Sequence, residues 1–190
     1  MLIAADAPQT VLHLLPKAGT GMEIGVWRGN YSARILTVAR PKSLHLVDPW
    51  QNAHTGIAAK ALYGSENITQ SELDQIYESV KAKFAAQIAR EQVVIHRATS
   101  SEALSGFADG VFDYVYIDGN HTFESVSSDL TNAFRVVKTG GFICGDDYVL
   151  GNWWGDGVVR ALHEFVRAQA VVLHFVLGSQ FVLRKLPDSK

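Results

Sequence analysis

The chain has 190 residues, of which 47% are hydrophobic, and its formal net charge is −2 at pH 7. We expect residues 1–190 to form a single domain that interacts with small molecules, since there is no basic stripe for nucleic acid and no apolar run of the ~18 residues that span a membrane. The single cysteine, Cys144, excludes an internal disulfide and suits a cytoplasmic protein.

The first 20 residues are expected to form a short N-terminal helix. The apolar residues Val11 and Leu12 lie shortly before Pro16, and proline ends a helix because it lacks a backbone donor. We expect this helix to pack on the edge of a sheet or on a partner subunit, which makes a homodimer plausible.

From residue 21 onward, short apolar runs alternate with segments of helical period, which is typical of an α/β fold with helices on both faces of a parallel sheet. The predicted strands are 21–26, 43–48, 92–97, 112–118, 141–146, 171–176 and 180–185. The predicted helices are 31–39 behind an Asn30 cap, 71–89, 101–107, 123–136 and one around 156–170. The last two strands have a very short link and must form a hairpin, so one strand is antiparallel.

Residues 22–32 read as a buried strand, a glycine turn and the start of a helix. Gly25 allows close approach of the main chain to a ligand, and Gly29 allows the helix to lie near the strand. Asp48 closes the next strand, where a carboxylate can accept both hydroxyls of a ribose. The glycine spacing differs from the dinucleotide pattern G-x-G-x-x-G, and Glu23 would repel a pyrophosphate but suits an amino group. The segment therefore predicts a nucleoside cofactor that is not a dinucleotide.

Residues 49–70 are rich in small and polar residues and follow the strand that ends at Asp48. Ligands of open α/β sheets bind at the carboxyl ends of the strands, so this insertion is a candidate lid, with a plain surface loop as the alternative.

Three aromatic residues could form a wall of the site that selects the substrate: Tyr148, Trp153 and Trp154. Trp154 is also suited to anchoring the next helix in the core.

Three carboxylates follow two neighbouring predicted strands, Asp118 after one and Asp146 and Asp147 after the other. They arrive at the same sheet edge as the glycine turn, where their like charges would repel. Oxygen ligands without paired histidines or cysteines favour a hard cation, with Mg²⁺ the expected occupant. The alternative is that Asp118 belongs to an ordinary turn and that the other two cap a helical turn.

These residues together resemble a known enzyme family. Residues 23–29 are similar to the first motif of class I S-adenosylmethionine-dependent methyltransferases. Residues 115–121 and 140–148 resemble the metal-assisted O-methyltransferase branch of that family, closest to the small bacterial enzymes grouped with macrocin O-methyltransferase and cephalosporin hydroxylase-type proteins. The resemblance implies a Rossmann-like, seven-stranded sheet of order 3-2-1-4-5-7-6 with strand 7 antiparallel.

The resemblance also implies S-adenosylmethionine and Mg²⁺, or another divalent cation, as cofactors. The expected reaction is O-methylation of a hydroxyl-bearing small molecule such as a sugar, a catechol or a natural product. By resemblance, the metal ligands are Asp118, Asp146 and Asp147. The expected cofactor-binding residues are Glu23, Gly25, Val26, Arg28, Gly29, Asp48, Thr99, Ser100 and Asp118.

His121 is the expected general base, because its ordinary pKa lies near working pH and it stands three residues after Asp118. It could instead cap the next helix or stack near the adenine. Thr99 or Ser100 is expected to contact the adenine, although Ser100 also suits a helix cap. Arg28 is expected either to pair with the carboxylate of the cofactor or to point to solvent.

Two other functions stay open: a non-catalytic binding or assembly protein that retains the pocket, and an NAD-dependent oxidoreductase.

Overall fold

The computed structural model describes residues 6–52, 63, 67–151 and 155–187. Strands and helices alternate along these residues, as the sequence pattern predicts. The strands are β1 Thr20–Ile24, β2 Ser43–Val47, β3 Val93–His96, β4 Phe112–Ile117, β5 Val137–Gly145, β6 Val171–Leu177 and β7 Gln180–Lys185. The helices are α1 Ala7–Leu14, α2 Asn30–Val38, α3 Gln70–Lys83, α4 Ala85–Ala89, α5 Ser100–Ser105, α6 Phe123–Val136 and α7 Gly157–Ala168.

The seven strands form one sheet in the order β3-β2-β1-β4-β5-β7-β6. β7 runs antiparallel to both of its neighbours, so the predicted topology is confirmed. In the register of the parallel strands, Ile24 is level with Val47 and Ile117, and Ile117 is level with Gly145. The residues that follow β1, β2, β4 and β5 therefore emerge at one edge of the sheet.

Apolar side chains cover both faces of this sheet. On one face, Met22 of β1 belongs to a buried cluster with Leu130 of α6 and Leu162 of α7. On the other face, a second cluster contains Ile35 of α2 and Leu73 of α3. Helices pack on both faces, as expected for a mostly parallel sheet. The sheet is thus held from both sides, and its carboxyl edge is free to carry a site.

The predicted helix 71–89 is wrong as a single element. It consists of α3 and α4, which are separated by Phe84 at φ −106° and ψ 16°. The Phe84 ring is buried, and a Cβ atom at Gly29 would lie 2.8 Å from it. Contact between this ring and the glycine turn outweighs the helical propensity of the segment.

The predicted Asn30 cap is also wrong. Asn30 is the first residue of α2, and the N-cap is Gly29, which has φ 66° and makes no side-chain capping bond. Before α5 the cap is Thr99, which forms a reciprocal capping box with Glu102, so Ser100 is not the cap. Ser100 is therefore available for another contact.

The N-terminal helix α1 packs on its own chain. Val11 and Leu12 are fully buried in the cluster that contains α2, and an ion pair of 2.6 Å joins Asp6 to Arg34 of α2. Most of the predicted lid falls outside the described residues, since 53–62 and 64–66 are not described. Within the described part of the chain, no helix is long and apolar enough to cross a membrane.

Candidate active site

A cavity of about 350 Å³ lies where β1, β2 and β4 end. Of the residues predicted to bind the cofactor, it brings together Gly25, Asp48, Thr99, Ser100 and Asp118. Side chains that the sequence analysis did not single out complete the lining, among them Trp27, Asn120, Glu124, Ser125, Ser128 and Asp129. The cavity thus has one wall from the glycine turn and another from α5 and α6.

The glycine turn depends on a very close contact between β1 and β4. Gly25 has φ 86°, and a Cβ atom there would lie 1.9 Å from the carbonyl oxygen of Asp118. Only glycine satisfies both conditions. Trp27, two residues later, also adopts a left-handed conformation at φ 51°, which is unusual for a bulky residue and is often found at functional sites.

Asp48 accepts four hydrogen bonds from its own chain. Its Oδ2 atom accepts from the backbone N–H groups of Val26 at 3.0 Å and Trp27 at 2.8 Å. Its Oδ1 atom accepts from the backbone N–H of Trp50 at 2.9 Å and from the Tyr63 hydroxyl at 2.7 Å. A carboxylate offers about four lone-pair positions, so Asp48 is already saturated. Asp48 therefore fixes the turn. A ribose hydroxyl could bond to it, as predicted, only if one of these four hydrogen bonds broke.

Glu23 lies beneath the turn and is only 1% exposed. Its Oε2 atom accepts a short hydrogen bond from the Ser32 hydroxyl. Burial raises the pKa of Glu23 to about 8, with a smaller increase from Asp48, while the Ser32 bond opposes the shift. Glu23 does not line the cavity, so the structure does not bring it to the predicted amino group.

Val26, Arg28 and Gly29 also lie outside the cavity lining. Val26 and Gly29 are buried in the turn itself. Arg28 is exposed, and its guanidinium lies 5.7 Å from the centre of the Trp27 ring. These residues shape the turn from behind, and their predicted contacts with the cofactor stay predictions.

A second group of polar side chains lies beside the cavity. Ligand atoms of Asp118, His121 and Asp147 all lie within 4.8 Å of one another, and His121 Nε2 is 3.3 Å from Asp147 Oδ2. Asp147 has φ 61°, and its backbone N–H donates to Oδ1 of Asp146 at 2.7 Å. The structure therefore groups two of the three predicted metal ligands with the predicted base. Asp146 lies outside that group and orients the backbone of its neighbour.

The charges in this group are poorly compensated by the chain. Burial, followed by the like charges of Asp146 and Asp147, raises the pKa of Asp118 well above its ordinary value. Burial and Asp146 raise the pKa of Asp147 to about 6. Burial lowers the pKa of His121 to about 4, although Asp146 opposes this, so the imidazole is neutral at pH 7. The two carboxylates offer oxygen ligands that suit a hard divalent cation, whereas the imidazole nitrogen is a ligand that transition metals prefer.

The neighbouring elements exclude one alternative role of His121. α6 begins after Thr122, whose hydroxyl accepts from the backbone N–H of Ser125 at 3.4 Å, so His121 is not the cap. Of the candidate aromatic wall, Tyr148 shares a hydrogen bond of 2.9 Å with His163 on α7. Trp153 and Trp154 lie outside the described residues.

Asp129 is a buried acid among the site residues that the sequence analysis missed. It lies on α6 and lines the cavity, although it is only 3% exposed. Its Oδ1 atom accepts a hydrogen bond from the Ser100 hydroxyl. The sequence pattern indicated that Asp129 is unusual, because it interrupts the buried apolar stripe of α6, where Val126 and Leu130 flank it at helical spacing.

Comparison with known proteins decides the family. A family model described as a methyltransferase domain matches residues 22–148. The chain belongs to this methyltransferase family. The matched region contains the glycine turn and each of the carboxylates described above, and the fold is that of class I methyltransferases. Membership of the metal-assisted O-methyltransferase branch stays a prediction.

Solved structures of methyltransferases share this fold at low sequence identity. One from Streptococcus mutans, in complex with S-adenosylhomocysteine, is 12% identical, with a TM-score of 0.63 over 98% of this chain and 99% of that one. A 1,6-didemethyltoxoflavin-N1-methyltransferase from Burkholderia thailandensis, solved with bound 1,6-didemethyltoxoflavin and S-adenosylhomocysteine, is 13% identical, with a TM-score of 0.62 over 97% of this chain and 79% of that one. A precorrin-6y C5,15-methyltransferase from Geobacter metallireducens is 14% identical, with a TM-score of 0.62 over 94% and 86%. No curated protein matches the sequence.

Proposed function

We propose that this methyltransferase uses S-adenosylmethionine and a divalent cation to methylate a hydroxyl group of a small molecule. The observation that carries the proposal is the position of the Asp118, His121 and Asp147 group directly beside the cavity, with Asp118 belonging to both. A donor held in the cavity and an acceptor held at the group would meet at Asp118. The family and the fold support the choice of donor.

The cavity residues would hold the donor, which supplies a methyl group attached to a positively charged sulfur. Gly25 provides the close backbone approach, and Asp48 holds the N–H groups of Val26 and Trp27 in place behind the turn. The Trp27 side chain provides an apolar wall, and its ring centre lies 5.0 Å from that of Tyr63. These contacts support a donor site in this cavity whose glycine turn is already formed.

Asp118 and Asp147 would hold the cation, which, when bound, lowers the pKa of an acceptor hydroxyl. Burial, followed by the repulsion from Asp146, raises the pKa values of both carboxyl groups, and a cation would offset both effects. Asp146 positions Asp147 by accepting its backbone N–H. His121 is neutral at pH 7 and can take up a proton, but burial lowers its pKa to about 4, below the working pH for which the sequence analysis chose it. We assign it the role of accepting the hydroxyl proton.

The test is formation of S-adenosylhomocysteine from S-adenosylmethionine with a pooled set of catechols and sugar diols, measured with Mg²⁺ and with EDTA. We expect turnover that EDTA abolishes, and a loss of about 100-fold or more in Asp147→Asn, since electrostatic contacts at the reacting centre have effects of that size. Asp156→Asn is the matched control, because Asp156 is exposed and makes no side-chain capping bond. Full turnover in EDTA would show that the cation is not required. A wild-type protein that binds the donor but never turns over would favour a binding or assembly role.

His121→Gln separates the two roles open to this side chain. As a base, its loss lowers kcat and leaves Mg²⁺ affinity within about threefold of wild type, because both carboxylate ligands remain. Calorimetric titration with Mg²⁺ measures this affinity. A loss of Mg²⁺ binding together with kcat would instead make His121 a metal ligand.

A further inference from the structure

We infer that Gln180 is a positioning residue that holds the carboxylate of Asp146 from behind the proposed cation site, with its side-chain amide as the donor. The inference rests on the proposed function, because its effect on the cation passes through Asp146 and Asp147. It goes further in naming a residue of β7 that is fully buried and does not line the cavity.

The first argument is that the side-chain amide of Gln180 is only half satisfied. Its Oε1 atom accepts a hydrogen bond of 2.8 Å from the Tyr116 hydroxyl. Among the residues that the structure describes, no acceptor bonds to its Nε2 atom. A buried donor without a partner is costly, and an apolar side chain at this position would avoid the cost. The amide therefore calls for an acceptor that it serves.

The second argument is that the strand register places Gln180 beside Asp146. β5 and β7 are antiparallel, and Gly145 is level with Phe181. The next residues toward the carboxyl edge of β5 are therefore Asp146 and Gln180. The chain stays beside β7 past this point, because the backbone N–H of Tyr148 donates to the carbonyl of the residue before Gln180 at 2.9 Å.

The two side chains also share a face of the sheet. The hydrogen bond from Tyr116 on β4 to Gln180 on β7 crosses β5, on the face where Cys144 lies in one cluster with Tyr116. Side chains alternate between faces along a strand, so Asp146 follows Cys144 on this face. Burial raises the pKa of Tyr116, and the charge of Asp146 is one of the further contributions, as expected for neighbouring groups.

Asp146 connects this amide to the proposed cation site. Its Oδ1 atom accepts the backbone N–H of Asp147 at 2.7 Å, and Asp147 has φ 61°, which a residue other than glycine rarely adopts. The Asp146 carboxylate thus holds the peptide that directs Asp147 toward Asp118 and His121. A donor on Gln180 fixes that carboxylate and, through it, the direction of Asp147.

The experiment is calorimetric titration with Mg²⁺ of the wild type, Gln180→Met, Asp146→Ala and the double variant. Methionine is unbranched and flexible, so it fills the space of glutamine without its polar groups. We expect Gln180→Met to weaken Mg²⁺ binding by about 10-fold, as is typical when a residue that orients a metal ligand is lost. In the Asp146→Ala background the same substitution should change the Kd by less than about threefold, since the two residues act as one unit.

Tyr114→Phe is the matched control. The Tyr114 hydroxyl is also buried without a partner among the described residues, but it lies two residues before Tyr116 on β4, farther from the carboxyl edge. This variant should keep the wild-type Mg²⁺ affinity. Tyr116→Phe removes the bond that orients the Gln180 amide and should weaken Mg²⁺ binding by about threefold, so it tests the inference even if Gln180→Met does not fold. Neither Gln180 nor Tyr116 lines the cavity, so both variants should bind S-adenosylhomocysteine as the wild type does.

Unchanged Mg²⁺ affinity in Gln180→Met and Tyr116→Phe overturns the inference and leaves the proposed function intact. Equal losses of Mg²⁺ and S-adenosylhomocysteine affinity also overturn it, because they would make Gln180 a general support of the fold. An undiminished effect of Gln180→Met in the Asp146→Ala background would show that Gln180 does not act through Asp146. A wild type that binds S-adenosylhomocysteine but not Mg²⁺ removes the cation from the proposed function, and the inference with it.

Discussion

The carboxylates on the two sides of the cavity differ in how far the chain satisfies them. On the side of the glycine turn, Asp48 accepts four hydrogen bonds. On the other side, burial and then the like charge of Asp146 raise the pKa values of Asp118 and Asp147. The comparison teaches that buried acids in one sheet edge serve two purposes. The saturated Asp48 holds the backbone in shape, whereas Asp118 and Asp147 are the residues that we propose for a cation.

The largest effect is expected at the closest contact of the turn. Gly25→Ala should lower the free energy of unfolding by about 3 kcal/mol or more and abolish S-adenosylhomocysteine binding, because its Cβ would lie 1.9 Å from a backbone oxygen. Gly140→Ala is the control, since Gly140 has φ 80° but nothing within 4 Å, and should cost only about 1–2 kcal/mol. Urea unfolding measures both. Equal losses would mean that backbone strain alone, and not the contact with β4, fixes the turn.

Asp48→Asn tests the saturated side. One carboxylate oxygen becomes an amide that faces two donors, so the free energy of unfolding should fall by about 2–3 kcal/mol. Asp109→Asn, at an exposed acid paired with Arg135, should change it by less than about 1 kcal/mol. If Asp48→Asn left stability intact and weakened only cofactor binding, Asp48 would be a ligand contact and not a support of the turn.

Asp147→Asn tests the unsatisfied side and should act in the opposite direction. In EDTA the variant should be at least as stable as wild type, because one of the like charges is gone. Mg²⁺ at 100 times its Kd should stabilise the wild type by about 2.7 kcal/mol and leave the variant nearly unchanged. Thermal melts with and without Mg²⁺ measure this. A wild-type Tm that ignores Mg²⁺ would count against the cation.

The most gradual effect is the pH dependence at Glu23, because it is spread over several pH units. Its pKa rises from 4.5 to about 8 on folding, so between these values the folded protein binds more protons than the unfolded one. Stability due to this group is therefore present below pH 4.5 and lost as pH rises toward 8, by at most ~1.4 kcal/mol per pH unit. Glu23→Gln should remove this contribution. Urea unfolding of both proteins from pH 5 to 8 gives the difference, and parallel curves would show that Glu23 is ionised in the folded state.

The alternating apolar runs and the short link before Gln180 were sufficient for the α/β class and for one antiparallel strand, and the resemblance to the methyltransferases implied the strand order. The sequence also predicted that Asp118 and Asp147 meet, since parallel strands bring their carboxyl ends to one edge. It could not predict contacts between distant elements. Phe84 breaks a helix because it meets Gly29, and Asp129 reaches the cavity from a helix that looks amphipathic apart from this one residue.

The most direct test of the account is calorimetric titration of the wild type with S-adenosylhomocysteine, repeated with Gly25→Ala. The account predicts binding of one molecule per chain by the wild type and none by the variant. An absence of heat with the wild type for both S-adenosylhomocysteine and S-adenosylmethionine, with and without Mg²⁺, would contradict it.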